Sequence, residues 1–328
     1  DLAHRAGLVA GAVSSSLVFT AAHPDTRQAI EQSSALLRSM LAEQGLLNLT
    51  DPIERHLPEF RGQRVLEGGS LVKPVRLVTV RDLMTHTAGM MLDPPASIGE
   101  LHDELHLSLE KVVLVESQQP LLFQPGTRWS YSNTGIAALG RLIEVKSGMA
   151  FERFLEERIF RPLKMADTMI YPPKEKWNRM PTAYYLLNGK TVPHTFTPLG
   201  EGKMKFREGA KYPLPEGGLY STAADLARLY QMLLNGGVLE GARIVSKASI
   251  EVMTRNHTGA LATSEPGSGW GLGWFVRPNG VFGHGGRFGT FAMIDPANDL
   301  FGIFLIHRQG GSDERQAFES ILRGALGN

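Results

Sequence analysis

The chain has 328 residues, of which 42% are hydrophobic and 20% are charged. This balance is typical of a folded globular protein and excludes an intrinsically disordered one. The net charge of +1 gives no basis for a nucleic-acid partner. The absence of cysteine excludes disulfides, cysteine-ligated metals and thiol catalysis. No apolar run approaches the ~18 residues that span a membrane, and no signal-peptide pattern indicates a compartment, so we expect a soluble protein without a membrane span.

The first predicted elements are a hairpin and a helix. Two short apolar runs, 7–13 and 17–22, are separated by three serines, a pattern that predicts antiparallel strands. Apolar residues at helical spacing follow as far as Gly45, which predicts a helix that ends at this glycine. Farther on, the polar, glycine-bearing stretch 62–74 predicts a loop, and the alternation in 75–80 predicts a strand.

The middle and the end of the chain predict helices and then strands. Residues 132–146 place four apolar side chains on one helical face behind Ser132, a predicted N-cap. Further helices are predicted over 81–86, 151–160, 221–235 with Ser221 as the cap, and 314–326. The proline- and glycine-rich residues 172–215 predict an irregular excursion. Consecutive antiparallel strands are predicted over 270–276, 280–283, 290–295 and 300–306.

This order of elements predicts an α+β protein. We expect an antiparallel sheet built from both ends of the chain and flanked by helices, with a mostly helical region inserted between its two parts. Residues 1–328 then form a single unit. Its α/β part covers 1–50 and 218–328, and its helical insert covers 51–217.

The strongest local signal for a functional site is the sequence PGTRWSYSN, which ends at Asn133. The Pro-Gly pair predicts a turn, and the helix begins directly after Ser132. Tyr131 and Asn133 lie two residues apart at this junction, so both side chains can point into one cleft. The alternative is a buried aromatic residue followed by a helix cap.

A second signal is the glycine-rich sequence GHGG around His284, at the end of a predicted strand. The glycines would let a ligand approach the strand edge closely, and His284 is suited to carry a proton near neutral pH. The alternative is a glycine-rich hairpin with one exposed histidine. The sequence disfavours a phosphate-binding loop, because no Gly-Lys-Ser/Thr follows. His102 and His106 lack the glutamate that a zinc protease has directly after the first histidine, so we expect neither a metal nor a cofactor.

Together these segments resemble the serine β-lactamase-like hydrolases, and within them class C β-lactamases, DD-peptidases and related carboxylesterases. The YSN at 131–133 resembles the second motif of that family, Tyr-x-Asn. The HGG at 284–286 resembles the third motif, in which Lys or His stands before x-Gly. The stretches 79–89, 217–225 and 270–274 are similar to further family segments, so the resemblance covers nearly the whole chain.

The resemblance implies a serine hydrolase that attacks an ester or amide carbonyl of a small-molecule substrate and forms an acyl-enzyme. It implies that Tyr131 relays protons and that His284 belongs to the catalytic site. It further implies that Asn133, Gly285 and Gly286 bind the substrate, beside a backbone N–H that contributes to an oxyanion hole. It implies no cofactor and leaves the oligomeric state open.

The sequence departs from the family at its first motif, Ser-x-x-Lys, which supplies the nucleophile and its base. No lysine precedes Lys73, so no register of the N-terminal helix contains the motif. The family spacing, counted back from Gly45, places the motif on 28–31, where the sequence is QAIE. The one intact match begins at Ser70, in the predicted loop, and Pro74 opposes a helix there.

Three explanations stay open for this departure. The protein is a ligand-binding pseudoenzyme on the same scaffold, or it uses His284 as the base with Ser33 or Ser34 as the nucleophile. Of these two serines we take Ser34 as the candidate catalytic residue. The third explanation is that the sequence lacks a stretch of the family's N-terminal region between residues 7 and 41. Because no lysine lies beside Tyr131 in the first two cases, we expect its hydroxyl to stay protonated there.

Overall fold

The structure is a computed structural model of the chain. It describes residues 36, 40–95, 106–193, 209–262, 266–309 and 313–325. The helices in these ranges are α1 (Val80–Met84), α2 (Leu109–Ser117), α3 (Asn133–Ser147), α4 (Phe151–Leu155), α5 (Ala223–Leu234), α6 (Lys247–Met253) and α7 (Asp313–Ala325). A π-helical turn, Glu156–Phe160, continues α4. Short 3-10 helices lie at Ile53–Arg55, Pro58–Phe60, Lys174–Arg179, Gly259–Leu261 and Pro296–Asn298.

The strands are short, and half of those in the described ranges lie in the last quarter of the chain. In order they are β1 (Val65–Glu67), β2 (Ser70–Val72), β3 (Tyr184–Leu187), β4 (Lys190–Pro193), β5 (Val238–Leu239), β6 (Ala242–Arg243), β7 (Gly269–Trp270), β8 (Phe275–Val276), β9 (Phe282–Gly285), β10 (Phe291–Asp295), β11 (Leu300–Phe304) and β12 (Arg308–Gln309). Strands β7 to β11 form one antiparallel sheet in which sequence neighbours are also spatial neighbours.

Helices cover both faces of this sheet. Successive residues of a strand face opposite sides of its sheet, so neighbouring residues of β11 report what lies on each face. The ring of Phe301 lies 6.0 Å from that of Tyr230 in α5. A Cβ atom on Gly302 would come within 2.3 Å of the Leu322 side chain in α7. The sheet is therefore enclosed between α5 and α7, which confirms the predicted α+β class.

Helix α3 lies in the core of the helical region. It starts behind Ser132, whose Oγ accepts the backbone N–H of Gly135 at 2.9 Å, so the predicted cap is confirmed. It ends at Gly148, which has a φ of +68°. The predicted apolar face is buried: Ile136, Leu139, Leu142 and Ile143. The helical residues 40–43 likewise end at Gly45, as predicted, with a φ of +70°.

The region 62–80 differs from its prediction of a loop followed by a strand. Strands β1 and β2 pair as an antiparallel hairpin, because Gly68 and Gly69 adopt φ angles of +54° and +81° that suit glycine alone. Residues 75–80 form no strand. Val75 is 79% exposed, and Thr79 begins α1 by accepting the N–H of Asp82. Alternating apolar residues do not make a strand where no neighbouring strand pairs with them.

The predicted strand 270–276 is in fact two strands, β7 and β8. Gly273 has a φ of +83° and turns the chain, and the N–H of Gly271 donates to the carbonyl of Trp274 across the turn. This turn reverses the chain, so that β8 pairs antiparallel with β7. Trp270 is the last residue of β7.

The cap of α5 also differs from its prediction. Thr222, rather than Ser221, caps the helix, because its Oγ1 accepts the N–H of Asp225 at 3.2 Å. Within 172–215 the chain is less irregular than predicted, since β3 and β4 form a hairpin and β3 pairs in parallel with β12.

The predicted N-terminal strands, 7–13 and 17–22, lie outside the described residues. None of the helices within the described ranges combines the length and the apolar character needed to cross a membrane.

Candidate active site

Tyr131 stands at the junction between a tightly held loop and α3. The loop is fixed by backbone hydrogen bonds, from Gly126 to Thr87 at 2.8 Å and from Ser130 to the carbonyl of His86 at 2.9 Å. Immediately after Tyr131, Ser132 caps α3, and its Oγ also donates to the carbonyl of Met91 at 2.8 Å. The position of Tyr131 is thus set by bonds on both sides, although its own side chain is half-buried.

His284 lies on β9, the central strand of the five-stranded sheet. It pairs with Ala292 of β10 and is 4% exposed. Its Nδ1 donates to the carbonyl of Gly285 at 2.7 Å. A carbonyl only accepts, so the neutral ring carries its proton on Nδ1 and its lone pair on Nε2. His284 therefore has the tautomer that a general base needs at Nε2.

The structure brings Tyr131 and His284 together in one aromatic cluster. Their ring centroids are 6.0 Å apart. Trp270 from the end of β7 contacts both, with centroid distances of 6.0 Å to Tyr131 and 5.4 Å to His284. Trp129 joins the cluster at 5.5 Å from Trp270. The second and third motifs, distant in sequence, thus meet around a shared set of rings.

His86 is part of the same cluster, although its sequence context, Thr-His-Thr, indicated only a structural histidine. Its ring lies 4.2 Å from that of Tyr131 at an interplanar angle of 30°. Its Nδ1 accepts the backbone N–H of Ser132 at 3.2 Å, so its neutral form carries the proton on Nε2. It is 1% exposed and has a φ of +56°, a region that few non-glycine residues occupy. Such strain is common at functional sites.

A buried carboxylate holds the segment that carries His86. Asp82 is 5% exposed and accepts two hydrogen bonds from Arg76, at 2.6 and 2.8 Å. It also accepts from the N–H and hydroxyl of Thr79 and from the hydroxyl of Thr87. Burial by itself would raise the pKa of Asp82, but the bonds from Arg76 and Thr79 outweigh it and hold the pKa below its ordinary value.

Asn133 is the first residue of α3 and is 5% exposed. Its side-chain Nδ2 donates to Asp93 Oδ1 at 2.6 Å, and its backbone N–H donates to the carbonyl of Leu92. Among the described residues no donor reaches its Oδ1, which is buried. Nearby, Glu116 has a pKa well above its ordinary value, because of burial first and the charge of Asp93 second. The predicted role of Asn133 in substrate binding stays a prediction.

The two glycines after His284 differ in their surroundings. Gly285 ends β9, and a Cβ atom placed on it would lie 3.6 Å from Nη1 of Arg315 in α7. The N–H of Gly286 donates to the carbonyl of Thr290 at 2.7 Å and so closes the turn after β9. A guanidinium therefore lies beside the third motif, while the N–H of Gly286 is already engaged. Their predicted contact with substrate stays a prediction.

The candidate nucleophile, Ser34, lies outside the described residues, as does Ser33. The intact Ser-x-x-Lys match can be placed: Ser70 is an exposed residue of the hairpin strand β2, and Lys73 follows the strand, also exposed. A helix that would bring the two side chains onto one face is absent there. In the part of the chain that the structure describes, no group of His, Asp or Glu is arranged to hold a metal ion.

Comparison with known proteins gives consistent likenesses. A family model described as Beta-lactamase matches residues 33–326. A putative D-alanyl-D-alanine carboxypeptidase of Escherichia coli (strain K12) is 27% identical over 296 residues, which cover 82% of this chain and 64% of that protein. An uncharacterised protein of Mycobacterium tuberculosis (strain CDC 1551 / Oshkosh) is 30% identical over 302 residues, 81% of this chain and 72% of that protein.

Solved structures share the fold. EstCE1, a hydrolase with promiscuous acyltransferase activity, superposes with a TM-score of 0.73 at 24% identity, covering 89% of this chain and 81% of that chain. The octameric penicillin-binding protein homologue from Pyrococcus abyssi superposes with a TM-score of 0.67 at 25% identity, covering 91% and 65%.

These findings define the fold of serine hydrolases of the β-lactamase and penicillin-binding-protein type. Since the family model matches most of its length, the chain belongs to the β-lactamase family. The match begins at residue 33, so it includes Ser34 and leaves out the window 28–31. The chain spans less than two thirds of the length of the E. coli relative.

Proposed function

We propose that the protein is a serine hydrolase that cleaves an ester or amide bond of a small molecule through an acyl-enzyme. The observation that carries this proposal is the contact between Tyr131 and His284, with ring centroids 6.0 Å apart, in a cluster that also contains Trp270. A tyrosine and a histidine whose rings lie in one cluster can act on the same reacting carbonyl, one giving a proton and the other taking one.

The roles of the residues follow from their chemistry. Ser34 loses its hydroxyl proton to Nε2 of His284 as its oxygen attacks the carbonyl carbon. The Tyr131 hydroxyl passes that proton to the departing alcohol or amine. Water then attacks the acyl carbonyl carbon, one of its protons passes through the same groups to the Ser34 oxygen, and the bond to that oxygen breaks, so the carboxylic acid is released and the serine is regenerated. A positioned general base contributes about 10²–10⁴-fold to such a reaction, so His284 is a sufficient base in principle.

A second candidate function is supported by a specific observation. No lysine precedes Lys73, so the sequence of the predicted N-terminal helix contains no counterpart of the lysine that accompanies the family's serine. In this alternative the protein binds an ester- or amide-containing ligand at the same aromatic cluster and does not acylate.

Labelling with a fluorophosphonate probe separates the two functions. We expect one adduct, in the tryptic peptide 28–38, whose only serines are Ser33 and Ser34. Ser34→Ala should abolish the adduct and the turnover of p-nitrophenyl esters, while the matched variant Ser33→Ala should keep both. His284→Gln should slow turnover by about 10²-fold or more. An unlabelled protein that still binds a substrate analogue would establish the alternative.

A further inference from the structure

The segment 91–93 runs alongside the start of α3 and is fixed there by three hydrogen bonds. The hydroxyls of Ser132 and Thr134 donate to the carbonyl of Met91 at 2.8 and 2.9 Å. The backbone N–H of Asn133 donates to the carbonyl of Leu92 at 2.8 Å. These bonds fix the backbone next to Asp93 beside the second motif.

The contact between Asp93 and Asn133 orients the asparagine amide. Asp93 Oδ1 accepts from Nδ2 at 2.6 Å. A carboxylate oxygen only accepts, so the amide nitrogen is the atom that bonds to Asp93, and the carbonyl Oδ1 beside it gains no partner from this contact. That Oδ1 is buried and has no donor among the described residues. A buried acceptor left without a donor requires an explanation, and a ligand N–H is one.

Asp93 adds an exposed negative charge to this buried acceptor. No lysine or arginine of the described ranges forms an ion pair with it. The neighbouring Glu116 is 3% exposed, and burial first and the charge of Asp93 second raise its pKa well above the ordinary value, so of the two carboxyl groups Asp93 is the one that favours the charged form. The two side chains together offer acceptors to a ligand, and the bond to Asp93 engages one of the two N–H donors of the Asn133 amide.

We propose that Asp93 and Asn133 form a subsite for a protonated amine on the acyl part of the substrate. An ammonium group carries several N–H donors and a positive charge, so it can satisfy the Asn133 carbonyl and the Asp93 carboxylate together. A neutral acyl carbonyl has no N–H to give to the Asn133 Oδ1 and no charge to offset that of Asp93. This inference rests on the function proposed above, in which Asn133 contacts the acyl side of the substrate, and it makes Asp93 a residue that determines specificity.

The test uses two p-nitrophenyl esters of equal shape, β-alanyl and butyryl, which differ by an ammonium in place of a methyl group. We expect kcat/KM for the β-alanyl ester to exceed that for the butyryl ester by about tenfold or more, as for a hydrogen bond to a charged group. Asp93→Asn keeps an oxygen that can accept from Asn133 Nδ2 but removes the charge, so it should bring the ratio to about one. Glu251→Gln, at an exposed carboxylate of α6, is the matched control and should leave the ratio unchanged.

A binding measurement makes the subsite testable apart from turnover. Dissociation constants of benzylammonium and benzyl alcohol are measured by ligand-observed NMR for the wild type and both variants. A preference for benzylammonium that Asp93→Asn removes and Glu251→Gln keeps supports the subsite even if neither ester is hydrolysed, and only the proposed function then fails. The inference is overturned if the wild type binds neither probe or has no preference, if Asp93→Asn keeps the preference, or if Glu251→Gln removes it equally.

Discussion

Replacing Asp82 by Asn removes the charge that organises the segment between Arg76 and Thr87. The carboxylate accepts five hydrogen bonds, two from Arg76, two from Thr79 and one from Thr87. An amide keeps the shape but turns one of these acceptors into a donor, which must then face another donor. The substitution therefore loosens the turn that holds His86 against Tyr131.

The expected loss of stability follows from how deeply Asp82 and Arg76 are buried. Breaking a buried ion pair by removing one charge costs about 3–5 kcal/mol. Arg76 is 43% exposed on its side chain, so water can solvate its guanidinium again. We therefore expect a loss near the lower limit, about 3 kcal/mol, which is a large part of the ~5–15 kcal/mol that stabilise a typical domain.

The assay is urea unfolding followed by tryptophan fluorescence at several pH values. The pKa of Asp82 is lower in the folded than in the unfolded state. Its stabilising contribution is therefore complete above the unfolded pKa of about 3.9 and is lost as the pH falls through the folded value. The difference in the free energy of unfolding between wild type and Asp82→Asn should therefore become smaller below about pH 4. Between wild type and Glu251→Gln we expect no comparable difference. A difference in unfolding free energy under about 1 kcal/mol at pH 7, or a difference that does not change with pH, would contradict the stabilising role of the Asp82 charge.

Three further substitutions test two contacts at the site and one between the sheet and α7. His86→Phe keeps a ring beside Tyr131 but leaves the N–H of Ser132 without its acceptor, so urea unfolding should show a loss of about 1–3 kcal/mol. Ester turnover should also fall. Unchanged stability and turnover would contradict the importance of the hydrogen bond between His86 and Ser132. Ser132→Ala removes the cap of α3 and should cost about 1 kcal/mol in thermal unfolding; an unchanged midpoint would count against the cap. Gly302→Val places its Cβ against Leu322 and should cost about 1–3 kcal/mol, with faster proteolysis of α7 if the helix is displaced. Equal stability and proteolysis rates would contradict this packing.

Local chemistry made much of the fold predictable. The Ser132 cap, the apolar stripe of α3 and the glycine stop at Gly45 each depend on neighbours along the chain, and each is confirmed. The prediction failed where the outcome depended on distant partners. Residues 75–80 alternate like a strand but have no strand beside them, and Gly273 splits what looked like one strand into two.

The candidate site was predictable in its two motifs but not in its surroundings. Tyr131 and His284 belong to short patterns, whereas His86 matters because a strained backbone and a distant helix start place it against Tyr131. The sequence also gives no sign that Asp93 engages the amide of Asn133, since that contact joins residues 40 positions apart.

The most direct test of the account is to trap the acyl-enzyme itself. The protein is mixed with a p-nitrophenyl ester, quenched in acid while turnover proceeds, digested with trypsin and analysed by mass spectrometry. We expect one acyl group on the peptide 28–38, assigned by fragmentation to Ser34 and absent from Ser34→Ala. Ester hydrolysis without an acyl group on any serine, or an acyl group on a serine outside that peptide, would contradict it.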